Sequence, residues 1–518
     1  MGIATTLAKN VFSSWMGFSV QVITTLLLTP CIIENLGLEA YGIWLFLGSA
    51  VGYYGLIDMG LRSGITQSIT RQVASRDIEG IRRRLGTYNP TMAIVGGGVV
   101  CIALLAWAVI PKLLTISPAE SKNLTLVVFV QAIGLGYAIA TVPYAALLVG
   151  LERYDISEGC SVISKLFSSF FIYFTVTWGW GLLGLAFGYT LAALLDSTMR
   201  VLFARSLLPG VKGVNWSINK EDITNLIRNS YLNTIILLSR QLIHFSSSII
   251  VGILFNAAAI PAYSIAASFV EYATKLIMLS TRVLFPTMVA VDESGDKNKL
   301  INLYKISSRL SIGLSLSLLI PGIVWMKPFL ILWLGNGKNS SVLTDLAPSL
   351  FAILGSSTVA VAAQRSGSQL LLAKDAVTVL ARLMIIEAIT TVLFSLLLGF
   401  YFGLKGVAIG TLIPCFFFSF CVYIPKHAES LGTSSIDLLS SVLPRPLMYG
   451  LLLVLLIKTF EWYCPKIDNW FSFFAIAGGS SCIFSFCLIP ILFTNREFGG
   501  LRSSLVSHCA RFRRRFVS

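Results

Sequence analysis

Long apolar runs separated by short polar segments dominate the chain and predict membrane-spanning helices. Each run is long enough to cross about 30 Å of hydrocarbon at about 1.5 Å per residue. We predict fourteen such helices, over residues 10–33, 40–62, 88–111, 123–149, 157–178, 182–204, 229–254, 260–288, 309–334, 343–366, 376–400, 403–425, 444–463 and 471–493. The longest polar interval, residues 63–87, is predicted to be a basic, amphipathic loop.

Basic residues of the connecting segments fall mostly on one side of the predicted membrane. That side receives Lys9, five arginines between residues 71 and 84, and the arginines of the tail 496–518. Because cytoplasmic segments carry the excess of lysine and arginine, both termini are predicted to be cytoplasmic. Tryptophans at the opposite helix ends predict an aromatic belt: Trp44, Trp107, Trp178, Trp180, Trp325, Trp333, Trp462 and Trp470.

Composition gives the same class. The 518 residues are 55% apolar and 12% charged, whereas soluble domains hold about 25% charged residues. The net charge of +15 follows from the topology and from anionic inner-leaflet lipids, so we expect no nucleic-acid partner. The nine cysteines lack CxxC or Cys/His ligand spacing, and we predict no disulfide, metal or cofactor.

Short patterns recur along the chain at nearly constant spacing. Four pairs lie 219–222 residues apart at matching places in the helix order: Glu39–Tyr41 with Pro261–Tyr263, Ser75–Asp77 with Ser294–Asp296, Arg153–Asp155 with Ala373–Asp375, and Gly181–Gly188 with Gly403–Gly410. Six helices per unit make these parallel repeats, with the substrate path between them. We therefore predict an all-α polytopic membrane protein with a six-helix lobe at 1–210, its repeat at 211–430, two extra helices at 431–495 and the cytoplasmic tail.

Charged residues inside the predicted seventh and eighth helices are the candidate chemistry. Arg240 and His244 share one helical face, and Glu271, Lys275 and Arg282 share a face of the next helix. An ion near the bilayer centre costs roughly 2.5–3.5 kcal/mol, so such residues normally face a wet interior or one another. Two polar faces inside hydrocarbon predict a hydrated interior that attracts anions.

Several segments also resemble a known family. Leu36–Trp44, Tyr53–Leu61, Leu332–Gly335 and Gly403–Gly410 resemble the bacterial polysaccharide-biosynthesis flippases, the O-antigen type of the multidrug/oligosaccharidyl-lipid/polysaccharide exporter superfamily. The resemblance implies a flippase that moves undecaprenyl-pyrophosphate-linked oligosaccharide across the bacterial inner membrane for surface polysaccharide such as the O-antigen of lipopolysaccharide. Implied partners are this lipid-linked substrate, membrane lipids and a polysaccharide polymerase of the same pathway. Where relatives carry an acid early in helix seven, this chain has His244.

A diphosphate substrate gives the central charges a role. Arg240, Lys275 and Arg282 are candidate phosphate-binding residues, because arginine binds phosphate bidentately and lysine acts as a point charge. Other interpretations stay open: Arg282 reaches lipid headgroups, and Lys275 is neutralised by Glu271.

Four residues are candidates for proton or cation coupling: His244, Glu271, Glu387 and Asp58. A packing histidine and an interfacial pair of Asp58 with Arg62 are the alternatives.

Three functions fit a chain of this kind. We favour the flippase; the first alternative is a cation-coupled multidrug or small-molecule exporter of the same superfamily, which would suit an acidic pocket. The second is a membrane-embedded glycosyltransferase or polymerase, which typically needs a sizeable extramembrane segment with paired carboxylates. The interval 63–87 has no such pair, so we expect a transporter and not an enzyme.

Overall fold

The computed structural model describes residues 3–107, 118–211, 216–282, 285–335, 338–374, 376–464 and 467–494. The α-helices in these ranges are α1 (Ile3–Ala74), α2 (Ile78–Trp107), α3 (Pro118–Ala140), α4 (Val142–Gly150), α5 (Tyr154–Thr177), α6 (Gly181–Leu207), α7 (Lys220–Leu254), α8 (Ile260–Arg282), α9 (Phe285–Glu293), α10 (Lys297–Leu334), α11 (Lys338–Ala373), α12 (Val377–Phe417), α13 (Ile424–Leu431), α14 (Ser435–Val442), α15 (Pro444–Tyr463), α16 (Trp470–Ser472) and α17 (Gly479–Leu488). Short 3-10 turns occupy Pro209–Val211, Ala257–Ala259 and Ile489–Leu492, and π-helical turns occupy Phe418–Tyr423 and Phe473–Gly478.

The all-α polytopic membrane fold is confirmed. Among the described residues, ten helices are long and apolar enough to cross a membrane, and α3 with α4, bent by 43°, gives an eleventh. The predicted number of fourteen is not confirmed among the described residues. Helices α1 and α12 each join two predicted helices across a kink at the predicted break, and α8 is not among the helices counted. Gly37 in α1 (φ 82°) and Gly403 in α12 (φ 67°) leave helical geometry at or beside those breaks.

The interval 63–87 is not a loop, contrary to the prediction. Helix α1 continues to Ala74 and α2 starts at Ile78, so only a short turn interrupts the helices. The reason is amphipathic packing: Ile65, Ile69 and Leu85 are fully buried in an apolar cluster. Leucine, isoleucine and arginine at helical spacing are compatible with a packed amphipathic helix as well as with a loop on the surface.

The aromatic-belt prediction is wrong for two tryptophans. Trp44 and Trp325 are only 8% and 6% exposed, so their rings pack inside the protein. Trp178, Trp180 and Trp462 are exposed, as a residue at the membrane interface should be. Burial depends on the rotation of each helix about its own axis, which position along the chain does not specify.

The chain divides into two compact units, Met1–Ser264 with Met384–Val392, and Ile265–Leu383 with Leu393–Ser518. In the first unit α1 packs along α7 and α5, α2 packs on α3, and α5 packs on α6. Glycines allow the close contact of α1 with α7: a Cβ on Gly64 would overlap Ser230, and one on Gly252 would lie 2.7 Å from Phe46. Helix α7 thus belongs to the first unit, and the boundary of the two lobes at 210/211 stays a prediction.

In the second unit, hydroxyl pairs join α10 to α11. The Oγ atoms of Ser307 and Ser366 are 2.7 Å apart, and Ser315 Oγ is 2.9 Å from Thr358 Oγ1. In hydrocarbon such pairs satisfy polar groups that lipid cannot. The C-terminal helices α15 and α17 add an apolar cluster with α10.

The internal repeat has matching local geometry. Gly181 and Gly403 both have positive φ, 58° and 67°, where L side chains are strained. Seven residues later, Gly188 and Gly410 are also equivalent: a Cβ on Gly188 would overlap a side chain of α5, and one on Gly410 would overlap the backbone of the first half of α12. Each glycine therefore allows one helix to pack closely on the helix before it.

The turns before α2 and α10 match as well. Their middle residues, Arg76 and Gly295, have φ of 56° and 72°. The next residues are helix N-caps: Asp77 Oδ1 accepts the N–H of Gly80 at 2.8 Å, and Asp296 Oδ1 accepts the N–H three residues later at 3.1 Å. The hydrogen bond from the backbone N–H of Lys299 and the adjacent Lys299 ammonium lower the pKa of the Asp296 carboxylate.

Candidate functional site

The structure divides the predicted charged residues among several environments. Arg240 is half-buried on α7, in the first unit. Lys275 and Glu271 lie on α8 in the second unit and form an ion pair, with Nζ 2.7 Å from Oε1. Glu387, on α12, is only 3% exposed, whereas Arg382 near the start of that helix is exposed. The interpretation of Lys275 as neutralised by Glu271 therefore agrees with the geometry.

Three other candidates have helical backbones, but their side chains lie outside the described part of the chain. These are Asp58 in α1, His244 in α7 and Arg282 at the end of α8. The prediction that Arg240, Lys275 and Arg282 form one cationic cleft stays a prediction. The basic tail 496–518 also lies outside the described residues.

A polar cavity of about 380 Å³ lies between α1 and α5, in the first unit. From α1 it is lined by Ser14, Gly17, Phe18, Val20 and Gln21, and from α5 by Glu158, Ser161, Val162 and Lys165. The α5 residues follow i, i+3, i+4, i+7 spacing, which places them on one helical face. Both helices are membrane-spanning candidates, and the lining residues lie in the first half of each candidate span.

Glycine on α1 makes room for the carboxylate on α5. A Cβ on Gly17 would lie 2.6 Å from Glu158 Oε2, closer than real carbon–oxygen contacts. Glu158 is half-buried and lines the cavity. A larger residue at position 17 would push the carboxylate away, so Gly17 permits its position against α1.

An ion pair on α6 braces the wall beside Glu158. Arg200 Nε lies 3.0 Å from Asp196 Oδ2, one helical turn away. Arg200 Nη2 donates to Ser161 Oγ at 2.6 Å, and this hydroxyl is 3.3 Å from Asp196 Oδ1. Ser161 belongs to the cavity wall, so the pair fixes α5 against α6.

Lys165 carries the positive charge of the cavity wall. Its ammonium lies 5.8 Å from the centroid of the Tyr189 ring on α6, a cation–π distance. The Tyr189 ring in turn packs on Trp44, with centroids 5.2 Å apart. Because Trp44 is buried, it gives Tyr189 a rigid support. The two aromatic rings hold the ammonium at one end of the cavity.

This set of groups suits a polar ligand such as a sugar. Hydroxyl, amide, carboxylate and ammonium groups of Ser14, Gln21, Glu158 and Lys165 offer donors and acceptors for sugar hydroxyls. Among the described lining side chains, one carboxylate balances one ammonium. Among the described residues, no group of three or more His, Cys, Asp or Glu side chains is placed to hold a metal ion.

Sequence reasoning missed this cavity, although a signal was present. Glu158, Ser161 and Lys165 show the same helical-face pattern that singled out Arg240 and His244 on α7. Two further buried ionisable residues were also missed, in the second unit. Arg309 donates to the carbonyl of Ser441 (Nε to O, 3.0 Å), and the ring of His427 is fully buried.

The Arg309 contact and the His427 contact with Tyr304 join helices to one another. His427 Nδ1 lies 3.3 Å from the Tyr304 hydroxyl, which ties α13 to α10. Arg309 likewise ties α10 to α14. Both side chains are nearly inaccessible, which suits a structural role.

The comparison with protein families decides the identity of the chain. Residues 7–292, more than half of the 518, match the family model described as "Polysaccharide biosynthesis protein". The chain belongs to this family. The match includes all helices that line the polar cavity of this polysaccharide biosynthesis protein. The resemblance drawn from the sequence is thus confirmed. A comparison with curated protein sequences finds no match.

Solved structures share the fold of this polysaccharide biosynthesis protein. An inward-facing multidrug resistance MATE family transporter of the MOP superfamily superposes with a TM-score of 0.67 at 15% identity, covering 79% of this chain and 96% of that chain. The lipid II flippase MurJ, in an inward closed conformation, gives 0.66 at 12% identity and covers 92% of this chain and 98% of MurJ. An outward-facing MATE family transporter gives 0.57 at 17%, covering 83% and 97%. At such identities these likenesses concern the fold.

Proposed function

We propose that this protein is a flippase that moves undecaprenyl-pyrophosphate-linked oligosaccharide from the cytoplasmic to the outer leaflet of the bacterial inner membrane. The observation that carries the proposal is the polar cavity between α1 and α5, in a member of the polysaccharide biosynthesis family. The fold shared with a lipid II flippase supports the same class of substrate. The glycan is a repeat unit of the O-antigen or of a similar surface polysaccharide, and a polymerase of that pathway receives it.

The physical need for the cavity follows from the substrate. A sugar head group must cross about 30 Å of hydrocarbon, where each unsatisfied polar group costs several kcal/mol. Ser14, Gln21, Ser161 and the two charged side chains of the cavity replace the lost water. The polyprenyl tail needs no such environment, because lipid already solvates it. The protein therefore handles the head group and leaves the tail in the bilayer.

Alternating access moves the head group from one side of the membrane to the other. Both termini are cytoplasmic in this proposal. Arg240 binds the diphosphate, and Lys275 and Arg282 assist when Lys275 leaves Glu271. His244, Glu387 and Asp58 remain the proposed coupling residues, with Glu271 as the fourth.

A specific observation also favours a second candidate, a cation-coupled multidrug exporter. Glu158 places a carboxylate in the cavity, and a carboxylate attracts organic cations. The fold shared with a multidrug resistance transporter is compatible with this activity. Against it stands Lys165, which gives the same cavity a balancing positive charge.

Transport in proteoliposomes separates the two candidates. Purified protein is reconstituted with an undecaprenyl-pyrophosphate-linked glycan, and a membrane-impermeant lectin scores the accessible sugar. We expect protein-dependent movement of the glycan and no efflux of a fluorescent organic cation. Efflux of the cation without movement of any of several glycans would replace the flippase by the exporter. Empty liposomes and liposomes with an unrelated membrane protein provide the baselines.

A further inference from the structure

The charges of the cavity are separated along α5. Glu158 is the fifth residue of this helix and Lys165 the twelfth. Seven residues at about 1.5 Å each place their Cα atoms about 10.5 Å apart along the helix axis. Both side chains lie on the same face and line the same cavity. The cavity is therefore dipolar, with a negative end near the start of α5 and a positive end near its middle.

The negative end has its own supporting structure. Arg200, the neighbouring cation, forms an ion pair with Asp196 at 3.0 Å and donates a hydrogen bond to the Ser161 hydroxyl at 2.6 Å. Among the described groups at that end, this pairing leaves the Glu158 carboxylate as the net charge. Ser161 beside it provides a hydroxyl. Carboxylates and hydroxyls accept hydrogen bonds from neutral sugar hydroxyls, and the carboxylate repels a ligand oxyanion.

The positive end is held by aromatic rings. The ring of Tyr189 lies 5.8 Å from the Lys165 ammonium, and buried Trp44 packs behind that ring. Among the described residues that line the cavity, the one carboxylate is that of Glu158, which lies at the opposite end. An ammonium in this position attracts an oxyanion, either a carboxylate on a sugar or the diphosphate beside the first sugar.

We propose that this dipolar cavity binds the glycan head group in one orientation, with an oxyanion at Lys165 and neutral sugar hydroxyls at Glu158. The proposal rests on the proposed flippase function and adds the residues that recognise the head group of the substrate. Lys165 is the specificity-determining residue for the charge of the substrate. Tyr189 is a positioning residue, which acts through Lys165.

Paired substrates test the orientation. Two lipid-linked glycans of equal length, one neutral and one with a uronic acid, are compared in the lectin assay for the wild type, Lys165→Gln, Lys165→Arg and Glu158→Gln. Lys458→Gln, which removes an exposed lysine from α15, is the matched control. Loss of a hydrogen bond to a charged group lowers binding by about tenfold to a hundredfold. We expect Lys165→Gln to slow transport by about tenfold or more, and Lys165→Arg to stay within a few-fold of the wild type.

The two sources of the oxyanion give different patterns. Slower transport of the uronic-acid glycan alone assigns the oxyanion to the sugar, and equal slowing of both glycans assigns it to the diphosphate. Folded Lys165→Gln protein that moves both glycans at the wild-type rate overturns the proposal. A Glu158→Gln variant that repeats the Lys165→Gln pattern overturns the orientation.

A binding measurement keeps this inference separate from the transport function. Thermal stabilisation by glucuronate, by glucose and by inorganic pyrophosphate is measured on detergent-solubilised wild type and Lys165→Gln. We expect at least one of the two anions to stabilise the wild type and to lose its effect in the variant, whatever the transport assay shows. Equal responses of both proteins overturn the oxyanion site. Wild-type protein that moves neither glycan but shows the Lys165-dependent binding refutes the flippase and keeps the site.

Discussion

The Asp196–Arg200 pair offers a sharp test of how the cavity wall is held. Removing one partner of a buried pair costs about 3–5 kcal/mol, whereas an exposed pair contributes about 0–1 kcal/mol. The side chains here are 17% exposed for Arg200 and 25% for Asp196, between these limits. We therefore expect Asp196→Ala to cost about 2 kcal/mol, because it leaves a largely buried guanidinium with the uncharged Ser161 hydroxyl as its hydrogen-bond partner.

The double variant makes this reasoning falsifiable. Asp196→Ala with Arg200→Met removes both charges, so we expect it to cost less than Asp196→Ala alone. Thermal unfolding in one detergent and at one scan rate compares the variants, since unfolding of such proteins is often irreversible. Additive losses in the double variant would show that the two charges act independently. They would refute the role of the pair in bracing α5 against α6.

Two further predictions concern the internal repeat. Gly406→Val should destabilise the protein by about 1–3 kcal/mol in the same thermal assay, because a Cβ at this position would overlap the backbone oxygen of Leu398. Gly97→Val is the control and should cost less stability, because the space around Gly97 is open. Because the pKa of Asp296 is lowered in the folded protein, its carboxylate stabilises the start of α10 at pH values above the ordinary aspartate pKa of about 3.9. This stabilisation is lost as the pH falls through the lower pKa of the folded state. Hydrogen exchange of the amides in the first turn of α10, corrected for intrinsic rates, measures this loss. We expect the loss in the wild type and not in Asp296→Asn. Identical pH profiles of the two proteins would count against the role of Asp296 as a helix cap.

The matching local geometry of the repeated segments was predictable because its signals are local. Gly181 and Gly403 have positive φ. Because this backbone conformation favours glycine, a glycine occupies the same place in both copies of the repeat. The membrane class was predictable for a similar reason, because hydrocarbon requires long apolar runs. Breaks inside α1 and α12 were also marked by glycine, but hydropathy does not distinguish a kinked helix from two helices.

The cavity needed information that one sequence does not supply. Its walls, near Gly17 on α1 and Glu158 on α5, are far apart along the chain. Whether two polar faces meet depends on the rotation and tilt of each helix, which packing against neighbours determines. Charged residues at the centre of α7, such as Arg240, stand out in the sequence more than the polar residues of α5 do. The polar face of α5 is visible in the sequence, whereas the helix that it meets is not.

The most direct test of the cavity as the head-group path is a matched pair of substitutions on α5. Val162 lines the cavity, whereas its neighbour Ile163 is 59% exposed on the outside of the helix. Val162→Trp fills the cavity and should slow lectin-scored glycan movement by about tenfold or more, the equivalent of about 1.4 kcal/mol. Ile163→Trp adds the same indole outside the cavity and should transport at close to the wild-type rate. Folded Val162→Trp protein with wild-type transport would contradict the central claim that the head group crosses the membrane through this cavity.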